Sequence, residues 1–158
     1  MASSGINFDE PIPQMIERLK SEHVIFESKL VQIEDNLKNN KVKQAAEMIQ
    51  SINERITRHA VEEEARLMRV IMHKAKNESS ESIKIIQEHN WVMEFLKSNL
   101  LFFERARSNN SSLSSESKDF KDAKKNMNEF VINLRKHFEE EELIVFPLTL
   151  RAEASNSY

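Results

Sequence analysis

The chain has 158 residues, a length that suits one domain of about 100–200 residues. One glycine, three prolines and no cysteine exclude a Gly-rich phosphate loop, disulfides, iron–sulfur ligation and a thiol nucleophile, and they argue against a turn-rich β-sandwich. A net charge of −3 gives no basic excess for nucleic acid or an anionic membrane surface, and no apolar run approaches the length of a spanning helix.

In chain order, residues 1–12 read as an N-terminal arm closed by Pro11 and Pro13. They hold neither the basic nor the apolar stretch of a signal peptide, so the expectation is a cytoplasmic protein. The first predicted helix, about 13–38, places Ile16, Leu19, His23, Phe26, Leu30, Ile33 and Leu37 at alternating spacings of three and four. A polar break at Lys38–Lys41 precedes the second, about 42–75, with Ile49, Ile52, Ile56, His59 and Glu63 in the same alternation. That pattern then drifts through Leu67, Val70 and Ile71. After the break Lys76–Ser80, the third helix, about 80–108, carries Ile86, His89, Met93, Leu96, Leu100 and Phe103. A Ser/Asn-rich stretch from Ser108 to Ser115 leads to the fourth, about 116–147, with Phe120, Ala123, Met127, Phe130, Leu134, His137, Glu141, Ile144 and Leu148. Pro147 marks its end, and residues 151–158 read as a flexible tail.

A sustained 3–4 alternation is the core seam of a bundle helix. Short connections turn neighbouring helices antiparallel, so the expected fold is all-α: an up-down-up-down four-helix bundle spanning residues 13–150.

Six seam positions are polar: His23, His59, Glu63, His89, His137 and Glu141. A buried carboxylate must be paired, protonated or bound to a metal, and the seam offers no Lys or Arg at these levels. In an antiparallel pair, residues equidistant from the connection lie at equal depth. His23 and His59 centre on position 41 and His89 and His137 on 113, both inside breaks. For the second break, His59 and His89 centre on 74, and Glu63 and His89 centre on 76. All six therefore share one layer to within about one turn, or ~5 Å. Four imidazoles and two carboxylates converging in a dry core form a metal-site composition. His-x-x-x-Glu puts both groups on one helix face, and it occurs twice, as His59–Glu63 and His137–Glu141.

The order His, His-x-x-x-Glu, His, His-x-x-x-Glu over four helices resembles the hemerythrin-like (HHE cation-binding) domain, from about Pro11 to Leu148. The resemblance implies a non-haem di-iron centre with an oxo or hydroxo bridge. By it, His23 and His59 hold one iron, His89 and His137 hold the other, and Glu63 and Glu141 bridge them. The implied partner is a small diatomic ligand, O2 or NO, bound by a sensor, store or carrier that is a monomer or homodimer. Met93 stands where oxygen carriers of the family have a further histidine, and Glu141 stands where they usually have an aspartate one residue later. Each iron then counts five ligands and keeps an open position, which leaves a di-iron oxidase, peroxidase or nitric-oxide-handling repair enzyme, or an iron-storage or metal-sensing module, as alternatives.

Several other residues are read as ordinary. His73 belongs to a helix end with Lys74 and Lys76. Glu22, Glu88, Glu62, Glu140 and the rest of the run Glu139–Glu142 read as solvated charges, and Glu27 as solvated or adjacent to the site. Met93, Phe26, Phe130 and Leu134 are candidates to line a gas pocket. Trp91, Phe95 and Phe102 make an apolar stripe expected to be covered by the arm through Ile6, Phe8 or Ile12, with a homodimer face as the other reading. Glu-x-x-His, the ferritin-type motif, is absent, because Lys20, Ile56, Val70, Ile86 and Leu134 precede the histidines by three.

Overall fold

Proline rings pre-set the φ angle of a helical first turn and need no N–H partner there. Pro11 accordingly caps the first helix and Pro13 sits inside its first turn. The computed structural model describes residues 6–108 and 118–154. Helix α1 (Ile12–Lys38) is followed by α2 (Val42–Glu62), a π turn (Glu63–Met68) and α3 (Arg69–Lys74). A single 3-10 turn (Lys76–Glu78) leads into α4 (Ser79–Ser108). Then come α5 (Lys118–Glu140), a second π turn (Glu141–Val145) and α6 (Phe146–Ala154). Backbone angles stay helical through both π turns, so α2 with α3, and α5 with α6, each form one rod of a four-helix bundle. The stretch 109–117, which includes most of the Ser/Asn-rich break, lies outside the described residues.

The α1–α2 corner is closed without glycine. Asn40 takes the left-handed conformation (φ 57°), a role asparagine tolerates because its short side chain relieves the usual penalty. Asn40 N–H then donates to Leu37 O and Lys41 N–H to Asn36 O, which satisfies carbonyls at the helix end.

Apolar burial falls into two clusters. One contains Phe26, Leu30, Ile33, Ile49, Ile52, Phe130 and Leu134. The other contains Met15, Ile16, Leu19, Leu67, Ile71, Ile85, Val145 and Phe146. Along each rod the polar seam residues fall between the two: His23 lies between Leu19 and Phe26, and His89 between Ile85 and Val92. The bundle is thus two apolar plugs separated by one polar layer.

The π turns explain the places where the simple alternation fails. A π turn inserts one extra residue into the helical ladder. After Glu63 the buried positions step by four to Leu67 and by four again to Ile71, which is the drift visible in the sequence. After Glu141 the same step buries Val145, while Ile144, expected in the core, is 44% exposed. Pro147 does not end the rod. It is the second residue of α6, just past the π turn where the ladder is already interrupted, and the helix continues to Ala154 with Ala152 buried. The expected flexible tail is therefore helical over its first half, and residues 155–158 lie outside the described residues. Helix α4 buries Ile85, Val92 and Asn99, leaving Ile86, Met93 and Leu100 half-buried, so its core face is rotated from the predicted seam.

Residues 6–12, the described part of the arm, turn away from the α4 aromatic stripe. Phe8 is exposed and lies against the Arg66 guanidinium, whose Nη1 donates to Asn7 O and Glu10 O, and Ile12 joins the second cluster. Phe95 stacks on Phe130 at 4.3 Å and Phe102 is buried, but Trp91, 6.2 Å from Phe95, remains 40% exposed.

Rephasing by the π turn has a measurable signature. Val145→Ala lowers the unfolding free energy by about 1.5–3 kcal/mol. Ile144→Ala changes it by no more than about 0.5 kcal/mol. Urea denaturation of the two variants distinguishes this from an unbroken α-helix, which would reverse the order.

Candidate metal centre

The two His-x-x-x-Glu motifs sit where α2 and α5 pass into their π turns. Each glutamate opens the wider turn, and both are 0% exposed. His23 comes from the middle of α1 and His89 from the first half of α4. The structure brings all six residues together in two overlapping groups. His23, His59, Glu63 and Glu141 form one, and Glu63, His89, His137 and Glu141 the other, with each group's ligand atoms within 4.8 Å of one another. Glu63 and Glu141 belong to both.

Inside the layer every histidine turns Nε2 inward. His59 Nε2 lies 2.9 Å from Glu63 Oε2, and His89 Nε2 lies 3.0 Å from Glu63 Oε1. His23 Nε2 is 2.9 Å from Glu141 Oε1, and His137 Nε2 is 2.9 Å from Glu141 Oε2. These are ion-pair distances without hydrogen-bond alignment: all four oxygens of Glu63 and Glu141 are buried with no hydrogen-bond partner, as is His89 Nε2. His23 Nε2 also faces His59 Nε2 at 3.1 Å. Apart from that contact the donor atoms aim at a common region and not at each other, which is what a cation needs, and a polar network lacking one leaves the carboxylate oxygens unsatisfied. The residues therefore fit a metal.

The outer nitrogens are held as well. Glu22 accepts from His59 Nδ1 at 2.6 Å, and Glu64 from His89 Nδ1 at 2.7 Å. Glu88 accepts from His137 Nδ1 at 2.6 Å, and Glu142 from His23 Nδ1 at 2.8 Å. A carboxylate on Nδ1 fixes the N–H there and leaves Nε2 free to ligate. Glu22 and Glu88 are thus bonded to the site's histidines and are not simple surface charges. One residue away from a ligand, a side chain points about 100° round the helix, here toward the neighbouring rod. Glu142, read as part of a solvated run, also holds a ring.

Glu62 is buried, which the solvated reading missed. It accepts from Arg18 Nη1 and Nη2, and the same guanidinium reaches Glu10 of the arm and Glu22. Glu140 is half-buried and pairs with Lys84 at 2.6 Å. Glu27 is exposed and pairs with Arg135. His73 is exposed in the last turn of α3, away from the layer. Met93 is half-buried, and its sulfur accepts from Thr57 Oγ1 at 3.6 Å.

A signal for the outer glutamates was present in the sequence. Glu22-His23 and Glu88-His89 are the same dipeptide, and Glu63-Glu64 and Glu141-Glu142 each close a His-x-x-x-Glu. The chain carries this pattern twice, once in each pair of rods. Aromatic rings keep one side of the layer dry: Phe138 stacks on His23 at 4.2 Å, and Phe26 meets His59 edge-on at 5.5 Å. A cavity of about 480 Å³ lined by Arg18, Glu22, Phe26, Arg58 and His59 among others lies beside this face.

Without an ion, His59, His89 and His137 hold protons. Burial alone would push them down. The facing Glu63, Glu141 and Glu22 outweigh it and keep His59 well above its ordinary value. His89 is pushed up to about 11 by Glu141, Glu63 and Glu64, and His137 to about 9 by Glu141 and Glu88. Burial likewise opposes ionisation of Glu141, but His137, His23 and His59 hold it well below the usual carboxylate range.

Comparisons with protein-family models, curated proteins and solved structures found no match for this chain. No helix among the described residues is long and apolar enough to cross a membrane.

These shifts set the pH behaviour of the metal-free protein. A raised histidine stabilises the fold fully below its unfolded value of 6.5, and that contribution is lost as pH rises through the folded values, about 9 for His137 and about 11 for His89. The Glu141 contribution is present above 4.5 and is lost as pH falls through its depressed value. The metal-free melting temperature therefore declines from pH 7 to pH 10. Calorimetry of chelator-treated protein that showed a flat or rising profile over that range would contradict this.

Proposed function

We propose that this chain is a non-haem di-iron protein of hemerythrin-like type, which binds a small diatomic ligand, O2 or NO, as a sensor, store or carrier. The observation that carries the reading is the pair of overlapping ligand groups sharing Glu63 and Glu141, with four Nε2 atoms turned inward. In this reading His23 and His59 hold one iron, His89 and His137 hold the other, and the two carboxylates bridge. The equal depth of the histidines about the breaks supports an up-down-up-down antiparallel order of the helices.

Nitrogen and carboxylate donors without thiolate suit iron. Bound iron would supply the Lewis acidity and redox change on which a diatomic ligand depends. The chain's own residues do the rest. Glu22, Glu64, Glu88 and Glu142 orient the rings, while Phe138 and Phe26 keep bulk water from the His23–His59 face. Met93 directs its sulfur to Thr57 and would supply no imidazole to a bound iron.

Protein expressed with added iron is expected to carry about two irons per chain, with charge-transfer bands in the near ultraviolet. Exposure of the reduced protein to NO is expected to change the spectrum reversibly. Glu63→Ala loses the metal and His73→Ala retains it. Zinc alone, no metal, or full retention in Glu63→Ala would contradict the reading.

A further inference from the structure

The four outer glutamates close a ring around the layer. Glu22 of α1 holds His59 of α2. Glu64, in the π turn after α2, holds His89 of α4. Glu88 of α4 holds His137 of α5. Glu142, in the π turn after α5, holds His23 of α1. Each rod thus supplies ligands to the centre and fastens the histidine of the next rod, with no rod left out. The ring is also a charge pattern. With the imidazoles neutral and ligating, six carboxylates stand in or against the layer, two inside it and four on its rim. Two carboxylates suffice to bridge a pair of ions, so the rim charges exceed what ligation requires.

We propose that Glu22, Glu64, Glu88 and Glu142 form a charge ring that favours trivalent over divalent iron in the centre, so that they act as positioning and potential-setting residues. The inference rests on the di-iron reading. An anion beside Nδ1–H makes the imidazole a stronger donor through Nε2, and that gain is larger for the more highly charged ion. Six negative charges come closer to balance with two trivalent ions than with two divalent ones. The ring is not uniform. Glu22 also accepts from Arg18 Nη1 at 3.2 Å, so part of its charge is already offset. Lys84 lies near Glu88 and contributes there in the same sense. Among the described ion pairs, Glu64 and Glu142 meet only the histidine rings and no arginine or lysine, so no cation offsets their charge there.

Glutamine preserves the acceptor oxygen for Nδ1–H and removes only the charge. Iron-loaded wild type, Glu64→Gln, Glu142→Gln and Glu22→Gln are compared, with exposed Glu139→Gln as the control. Glu64→Gln and Glu142→Gln each lower the affinity for trivalent iron by about 10–100-fold and raise the reduction potential. Glu22→Gln does so by less, and Glu139→Gln leaves both quantities unchanged. Loss of trivalent but not divalent iron from Glu64→Gln gives the same answer without a potential. Equal potentials in iron-loaded wild type and all three ring variants overturn the ring proposal while leaving the di-iron reading intact. A wild type that takes up no iron overturns both.

Discussion

Two carboxylates with no access to water, Glu63 and Glu141, are the constraint on which the rest of the molecule depends. Each sits between two apolar clusters, where an unpaired charge is costly. Among the described residues their ion pairs are all to imidazoles and none is to a lysine or arginine. The pairings that result are short but misaligned as hydrogen bonds, and the carboxylate oxygens remain unsatisfied. The layer is balanced only by protons held on the histidines or by cations in their place. The long rods and the rim glutamates fix donors in the orientation that a cation requires.

Glu63 and Glu141 each stand at the start of a π turn, and this links the backbone to the site. A regular α-helix after Glu141 would carry Ile144 into the core and turn Val145 away. The inserted residue reverses that and leaves Pro147 in a ladder already broken. Such insertions are uncommon and occur often at functional sites. Here they occur twice, at matching positions of the two His-x-x-x-Glu motifs. Each rod packs the second apolar cluster through Leu67 and Val145 within the turns and through Ile71 and Phe146 in the α-helix that follows.

Periodicity made much of this legible. The helices, their breaks and the six polar seam residues all follow from residues three and four apart, because every seam residue obeys the same geometric rule. The drift at Leu67 and Val70 was visible, but a drift in one helix does not distinguish a π turn from an ordinary change of packing face. The same ambiguity hid the rotation of α4, where Ile85 and Ile86, or Val92 and Met93, are equally apolar choices. The rim glutamates were harder still. A glutamate beside a histidine looks solvated when its helix is read alone, since its partner lies on another rod. Only the repetition of Glu-His and Glu-Glu in both halves of the chain hinted at Glu22, Glu64, Glu88 and Glu142 together. The arm was misplaced for a similar reason: Phe8 and the Trp91 stripe are both apolar, yet the contact of Phe8 with Arg66 and the grip of Arg66 on Asn7 and Glu10 draw the arm elsewhere.

The proposed di-iron centre makes a positional claim that composition or spectra alone do not test. The most direct measurement is anomalous diffraction at the iron absorption edge from crystals of the iron-loaded protein. Two peaks are expected in the buried layer, one against His23 and His59 and the other against His89 and His137, with Glu63 and Glu141 between them. A single peak, a peak at His73, or no anomalous density in the layer would contradict that claim.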